Sequence, residues 1–441
     1  MRKRRFGSLL AVLATMSLVA AACAEDDGDG TADGAGDGAA SACEADEFGC
    51  VEYGEGEPIH LATLLSISGA TAALGTDSNR GVELAIDNLD DQLDGTAGQL
   101  MGRDVEVTQE DDGCSAEGGQ AGGTALAADE TIVAVIGTTC SSAALGVADT
   151  ILSDEGILTF SPSNTNPGLT SEEAHQPFYA RTAHNDLIQG AIVAEYVFNE
   201  LGVDSAATIN DESPYADGLA AAFRDTFEGL GGTITGVEQV QSTDEDLTAV
   251  LRSIAEGDPG VVYGPNFNPV CALTYSQGDG ILPAETIQVG SDGCLEASFF
   301  ELAGSPAADY YASSPDLTVF QEGAFYRDEF LPAYRDQFGE APTAVFHAHA
   351  YDAANVLFQA IEDVAIDEGG TLLIPRTALK DAVLATTGYE GVSGVISCTP
   401  LGDCATDVTI GMFQYPNWPV EGGEEPADPV YTDTKTLEDV T

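Results

Sequence analysis

From residue 58 onward the apolar residues alternate between two textures. Short unbroken runs read as buried strands, and longer stretches with apolar residues three and four apart read as helices packed on one face. The run 59–65 is the first strand, and 81–89 carries helical periodicity through Val82, Leu84, Ala85, Ile86 and Leu89. Strands at 105–108, 132–136 and 157–160 follow, separated by helices at 121–128 and 143–153. The rhythm restarts with helices at 187–201, 219–230, 247–256 and 270–277 and strands at 206–210, 233–240, 260–264 and 287–290. Strict alternation of this kind implies parallel strands joined by crossover helices. Two rounds of it predict an α/β protein of two doubly wound lobes, with 181–186 as the crossing between them. Helices at 320–338, 344–364 and 377–386 come next, and 392–397 with 408–414 reads as a final hairpin.

The two ends have a different texture. Arg2, Lys3, Arg4 and Arg5 precede an apolar stretch, 9–22, broken only by Thr15 and Ser17, with no acid before Glu25. This is the layout of a secretory signal, short for a membrane span. It ends in Ala20-Ala21-Ala22-Cys23, which resembles a bacterial lipobox. That likeness implies a lipid on Cys23 and cleavage before it, leaving the protein on the outer face of the cell membrane; a plain signal with an incidental cysteine is the alternative. Residues 24–41 are almost entirely Ala, Gly, Asp, Glu and Thr, so 23–57 reads as a flexible tether. Residues 416–441, rich in Pro, Gly and acids, read as a mobile tail.

Charge then removes whole classes of partner. The chain has 14 Lys and Arg against 74 Asp and Glu, a net charge of −60. Nucleic acid is excluded, because binding it requires neutralising phosphates. A general affinity for anionic lipid is excluded for the same reason, so the only membrane contact expected is the lipid anchor.

Nine cysteines remain to be placed: Cys23 and the eight others, Cys43, Cys50, Cys114, Cys140, Cys271, Cys294, Cys398 and Cys404. An even number in an exported chain suggests disulfides, although eight thiols admit roughly a hundred pairings. Order and local context suggest 43–50, 114–140, 271–294 and 398–404. Metal is not expected, since no two-residue Cys spacing occurs and the five histidines are not interleaved with the cysteines. No phosphate-binding GxxxxGK[ST] and no GxSxG nucleophile elbow occur. His347 and His349 lie two apart, which on a helix turns them in different directions. Neither an enzyme nor a cofactor is expected.

Particular residues resemble those of the leucine/isoleucine/valine type of periplasmic binding protein, within the two-lobe type 1 fold. They are Ser66-Ile67-Ser68-Gly69 with Leu74-Gly75, the 81–86 helix, Glu110-Asp111-Asp112-Gly113-Cys114, the 135–142 segment ending Cys140-Ser141-Ser142, and Ser161-Pro162-Ser163-Asn164-Thr165-Asn166-Pro167. Tyr215, Gly290-Ser291-Asp292-Gly293 and Ala350-Tyr351-Asp352-Ala353 continue the likeness. The resemblance runs from about residue 58 to about 415. It implies a three-strand hinge, an N-terminal lobe of 58–183 plus 315–388, and a C-terminal lobe of 184–314 plus 389–415. It further implies a monomer that captures an amino acid in the cleft and hands it to an ABC permease. A ligand-sensing module for amino acids, amides or urea-like solutes is the alternative.

A zwitterionic amino acid needs donors for its carboxylate and acceptors for its ammonium, because buried unpaired charge is costly. The family positions for the carboxylate fall on Ser141 and Thr165, in loops that also bring Ser163 and Asn164. The ammonium position falls on Asp292, one methylene shorter than the family's usual Glu. Tyr215 and Phe267 fall where aromatic side chains pack on ligand. Leu74 stands where many relatives have an aromatic, and Asn164 where Ala is frequent, which favours a more polar solute.

Overall fold

The structure is a computed structural model that describes residues 36–304, 310–316, 318, 323–414 and 428–441. The signal stretch, Cys23 and the start of the expected 320–338 helix lie outside these residues. Strands are numbered in chain order: β1 (Cys50–Tyr53), β2 (Ile59–Leu65), β3 (Val105–Asp111), β4 (Ile132–Gly137), β5 (Leu158–Ser161), β6 (Tyr179–Arg181), β7 (Ser205–Asn210), β8 (Thr233–Gln239) and β9 (Val261–Tyr263). They continue as β10 (Ile287–Gly290), β11 (Tyr310–Pro315), β12 (Ile366–Glu368), β13 (Thr371–Pro375), β14 (Tyr389–Glu390), β15 (Val395–Ile396), β16 (Val408–Gln414) and β17 (Tyr431–Lys435).

Two sheets dominate. One runs β3-β2-β4-β5-β6 and is parallel throughout; the other runs β17-β16-β11-β10-β9-β7-β8. In the second, β11 to β8 are parallel and β16 and β17 close one edge antiparallel. Every residue of β4 is buried, whereas β8 at a sheet edge has only exposed and half-buried residues. Helices on both faces explain the unbroken apolar runs of the central strands.

The chain passes between the sheets three times. It leaves the first after β6, returns after β11 to lay helix His347–Val364 against helix Ala72–Asp87, and leaves again to place β16 beside β11. Gly81 makes the helix contact close: a Cβ there would lie 2.2 Å from the His347 carbonyl oxygen. The first and third crossings lie side by side, joined by a bridge between Arg181 and Asp403 and a 2.7 Å ion pair between their side chains. The fold is thus two doubly wound lobes on a triple crossing.

Three expectations need correction. The segment 23–57 is not all tether, because helix Gly36–Ala45 and β1 are ordered and β1 pairs antiparallel with β13. The 416–441 segment is not all tail, because β17 is an edge strand on β16. Its pattern of alternately half-buried and exposed residues suits an edge, but the acidic surroundings hide that signal. The 392–397 and 408–414 runs do not form one hairpin either. β15 pairs with β14 and makes one further bridge, Ile396 to Ala405, ahead of the second run, while β16 sits between β11 and β17. A strand buried on both sides finds its partners by tertiary packing, not by the nearest turn.

The four disulfides are Cys43–Cys50, Cys114–Cys140, Cys271–Cys294 and Cys398–Cys404, the pairing that order and context suggest. Among the described residues no helix is long and apolar enough to cross a membrane.

Several acids are buried inside the lobes. Burial pushes Asp149 up to about 8, Glu296 to about 7, and Asp112 and Asp352 to about 6. Each binds its proton more tightly folded than unfolded, so each lowers stability as pH rises from its unfolded pKa to its folded one. The melting temperature is therefore expected to fall between about pH 5 and about pH 8. Surface repulsion from the acidic excess acts in the same direction but is screened by salt. The check is a melting series repeated in about 1 M salt, where the fall should persist. A flat profile at high salt would refute the contribution of the buried acids.

Candidate functional site

The first sheet ends in loops that face the second lobe. At the end of β4, Gly137 passes so near β2 that a Cβ would meet the Leu64 carbonyl oxygen at 2.2 Å. The loop that follows is held from two sides. Asp112 accepts from the amides of Cys114 (2.8 Å) and Thr139 (2.7 Å), and Cys114–Cys140 joins the same two loops covalently. Ser141, next in sequence, opens a helical run and accepts from the Asn166 amide at 3.3 Å. Such pinning lowers the entropy lost when this loop meets a ligand.

The loop after β5 packs on it. Ser163 Oγ donates to the Thr139 carbonyl at 2.9 Å, and Ser161 Oγ, which donates to the Thr138 carbonyl, accepts from the Ser163 and Asn164 amides. Asn164 is occupied inside this loop. Its Nδ2 donates to the Thr138 carbonyl at 2.9 Å, and its Oδ1 accepts from Thr138 Oγ1 (3.1 Å) and Tyr179 OH (3.3 Å). The Thr165 hydroxyl is buried beside the Asp186 carboxyl and makes no well-formed hydrogen bond. Asn166 Nδ2 reaches across to the Pro214 carbonyl at 2.5 Å, tying the two lobes together.

The second lobe answers with Tyr215, Phe267 and Asp292. Ser213 caps helix Pro214–Gly229 through the Ala216 amide and sets Tyr215 in its first turn. The Tyr215 and Phe267 rings lie 4.8 Å apart. The Tyr215 hydroxyl contacts Ser291 Oγ at 2.6 Å and donates to Asp292 Oδ1 at 3.2 Å. Gln189 Nε2 also donates to Asp292 Oδ1, at 2.7 Å. Among the described residues Oδ2 of Asp292 makes no hydrogen bond. Cys271–Cys294 fastens the loop carrying Asp292 to the helix after Phe267.

These elements enclose one interlobe cavity. Leu74, Thr139, Ser141, Ser163 and Phe346 line it from the first lobe, and Tyr215, Phe267 and Asp292 from the second. Its volume is ≈ 10 Å³, room for about one water, so a solute enters only when the lobes part. Among the described residues no Lys or Arg lines it. The buried Arg181 is engaged elsewhere, by Asp403, the carbonyls of Asn164 and Asn166, and Thr170 Oγ1. The lining is therefore hydroxyls on one side, one carboxylate on the other, and apolar faces between.

Six of the eight residues anticipated at the ligand therefore meet here: Leu74, Ser141, Ser163, Tyr215, Phe267 and Asp292. The structure does not bring Asn164 to the cavity; its amide is taken up within the loop, so it offers no polar group to a solute. Thr165 lies behind the lining. Thr139 and Phe346 were not anticipated, and nothing local marks them: one is a hydroxyl beside a cysteine, the other a lone aromatic before a helix.

Residues 58–406 match a family model described as periplasmic binding protein. The chain belongs to that family. It is a family of solute-binding proteins, not of enzymes, and its members act outside the cytoplasm. Among curated relatives, a Leu/Ile/Val-binding protein homolog from Brucella abortus is 28% identical over 341 residues, covering 77% of this chain and 85% of the relative. A leucine-, isoleucine-, valine-, threonine- and alanine-binding protein from Pseudomonas aeruginosa is 25% identical over 309 residues, covering 69% and 78%. Among solved structures, a leucine-binding protein from Thermotoga maritima shares the fold with a TM-score of 0.71 at 22% identity, covering 86% of this binding protein and 99% of that chain. A benzoate complex of a solute-binding protein from R. palustris does so with 0.70 at 18%, covering 86% and 97%.

Proposed function

We propose that this binding protein captures a small amino acid between its lobes and delivers it to an ABC permease, as a monomer tethered outside the cell by a lipid on Cys23. The observation that carries this reading is the cavity lining. Ser141 and Ser163 offer hydroxyls from one lobe, and Thr165 keeps a buried hydroxyl without a well-formed bond just behind them. Asp292 presents a carboxylate from the other lobe. That arrangement suits a carboxylate at one end of the solute and an ammonium at the other. Leu74, Phe346, Phe267 and Tyr215 suit an aliphatic body between them. Relatives named for leucine, isoleucine and valine support the solute class.

The benzoate-binding neighbour shares the fold, but an acid lacking an ammonium group would leave Asp292 unpaired against a second anion. A thermal-shift screen decides the matter. At a hundredfold excess over Kd a ligand stabilises the folded state by about 2.7 kcal/mol. Aliphatic or small polar amino acids are expected to raise the melting temperature, and benzoate to leave it unchanged. A screen in which only aromatic acids shift the transition would sink the proposal.

A further inference from the structure

A second cavity of ≈ 90 Å³ lies at the hinge, with His184 and Thr182 of the first crossing, Asp316 after β11, His349, and Asp407 of the third crossing among its walls. One buried side chain links a wall of this cavity to a wall of the ligand cavity. Gln189 Oε1 meets His184 Nε2 at 2.6 Å, and Gln189 Nε2 donates to Asp292 Oδ1 at 2.7 Å and Ser313 Oγ at 2.9 Å.

The network fixes which end of the amide is which. A carboxylate is acceptor-only, so the Gln189 amine must face Asp292 and its carbonyl must face His184. His184 then carries its proton on Nε2. Its Nδ1 is a bare acceptor, with no hydrogen-bond partner among the described residues. Burial pushes the His184 pKa down, in keeping with a neutral ring. With Gln189 and Tyr215 both on Oδ1, the carboxylate cannot turn without breaking two bonds, and Oδ2 is the oxygen left for a ligand.

We infer that Gln189, braced by His184, is a positioning residue that aims Asp292 Oδ2 at the ammonium group of the solute. His184 sits in the first crossing, and crossings of this kind absorb the dihedral changes of lobe closure. The aim of the carboxylate is thereby set from the hinge. This inference rests on the ammonium role given to Asp292 above.

A double-mutant cycle on the full chain tests it, with affinity for L-leucine, or for the amino acid giving the largest thermal shift, measured by calorimetry. Gln189→Met alone is expected to weaken binding roughly ten- to a hundredfold, the scale of a hydrogen bond to a charged group. Added to Asp292→Ala, it should cost less than about threefold, because nothing is left to aim. His184→Phe should follow the same pattern more weakly. Equal losses in both backgrounds would show a merely structural role and overturn the inference. So would a Gln189→Met protein that binds as tightly as the parent while Asp292→Ala does not. If Asp292→Ala itself binds normally, the ammonium reading has failed, and this inference falls with it. Melting curves show whether each variant folds. Should Gln189→Met not fold, the His184→Phe cycle decides, and failure of both to fold would assign the pair to folding and end the inference.

Discussion

Asp292→Ala is expected to weaken amino-acid binding by about 2–5 kcal/mol, the loss typical when a buried charge is left without its partner. The closed cavity admits little water, and among the described residues no other carboxylate lines it. An ammonium group in the variant would meet only hydroxyls and aromatic faces. The vacated space would also cost the Gln189 amide and the Tyr215 hydroxyl the acceptor they now share, leaving them Ser313 and Ser291. Asp292→Asn separates charge from shape: it keeps the volume and should lose most of the affinity while leaving the melting temperature of the unliganded protein nearly unchanged. Calorimetry with the amino acid found by the screen gives the answer. Unaltered affinity in either variant would remove Asp292 from the site.

The second large effect concerns stability. Arg181 and Asp403 are both buried, and their ion pair joins the first crossing to the third. Replacing only Arg181, by methionine, strands the Asp403 carboxylate in the interior, an error that costs about 3–5 kcal/mol. It also frees the carbonyls of Asn164 and Asn166, so the loop that carries Thr165 loses its brace. The double replacement Arg181→Met with Asp403→Leu should recover much of the loss, since a buried pair is often no better than apolar residues of similar volume. Denaturant midpoints for the two singles and the double form the cycle. If the double variant is no more stable than the single Arg181→Met, charge stranding is not the cause. Affinity should drop in Arg181→Met even where the protein remains folded.

Much of this was legible because central strands such as β4 are buried on both faces and must be written in apolar residues. Segments such as 110–114 and 161–167 carry polar residues whose spacing reflects close backbone work, and six of the residues named from the resemblance line one cavity. What escaped reading depended on distant partners. Nothing near Tyr431 announces that β16 lies waiting for an edge strand, and nothing near Cys50 announces β13. Asn164 has the chemistry of a ligand contact, yet its direction is decided by Thr138 and Tyr179, residues 26 and 15 positions away. Gln189 looks like any polar residue in an amphipathic helix until the loop of Asp292, 103 residues later, folds over it.

The interleaved path of the chain also dictates an order of events. The first lobe needs the helix that ends at Val364 and the strand that ends at Pro375, and the second needs β16 and β17, the latter ending at Lys435. A nascent polypeptide threading out from its N-terminus therefore cannot finish either half early. The first half waits for Pro375 and the second for Lys435, and until then the sheets stand with raw margins that a neighbouring chain could invade.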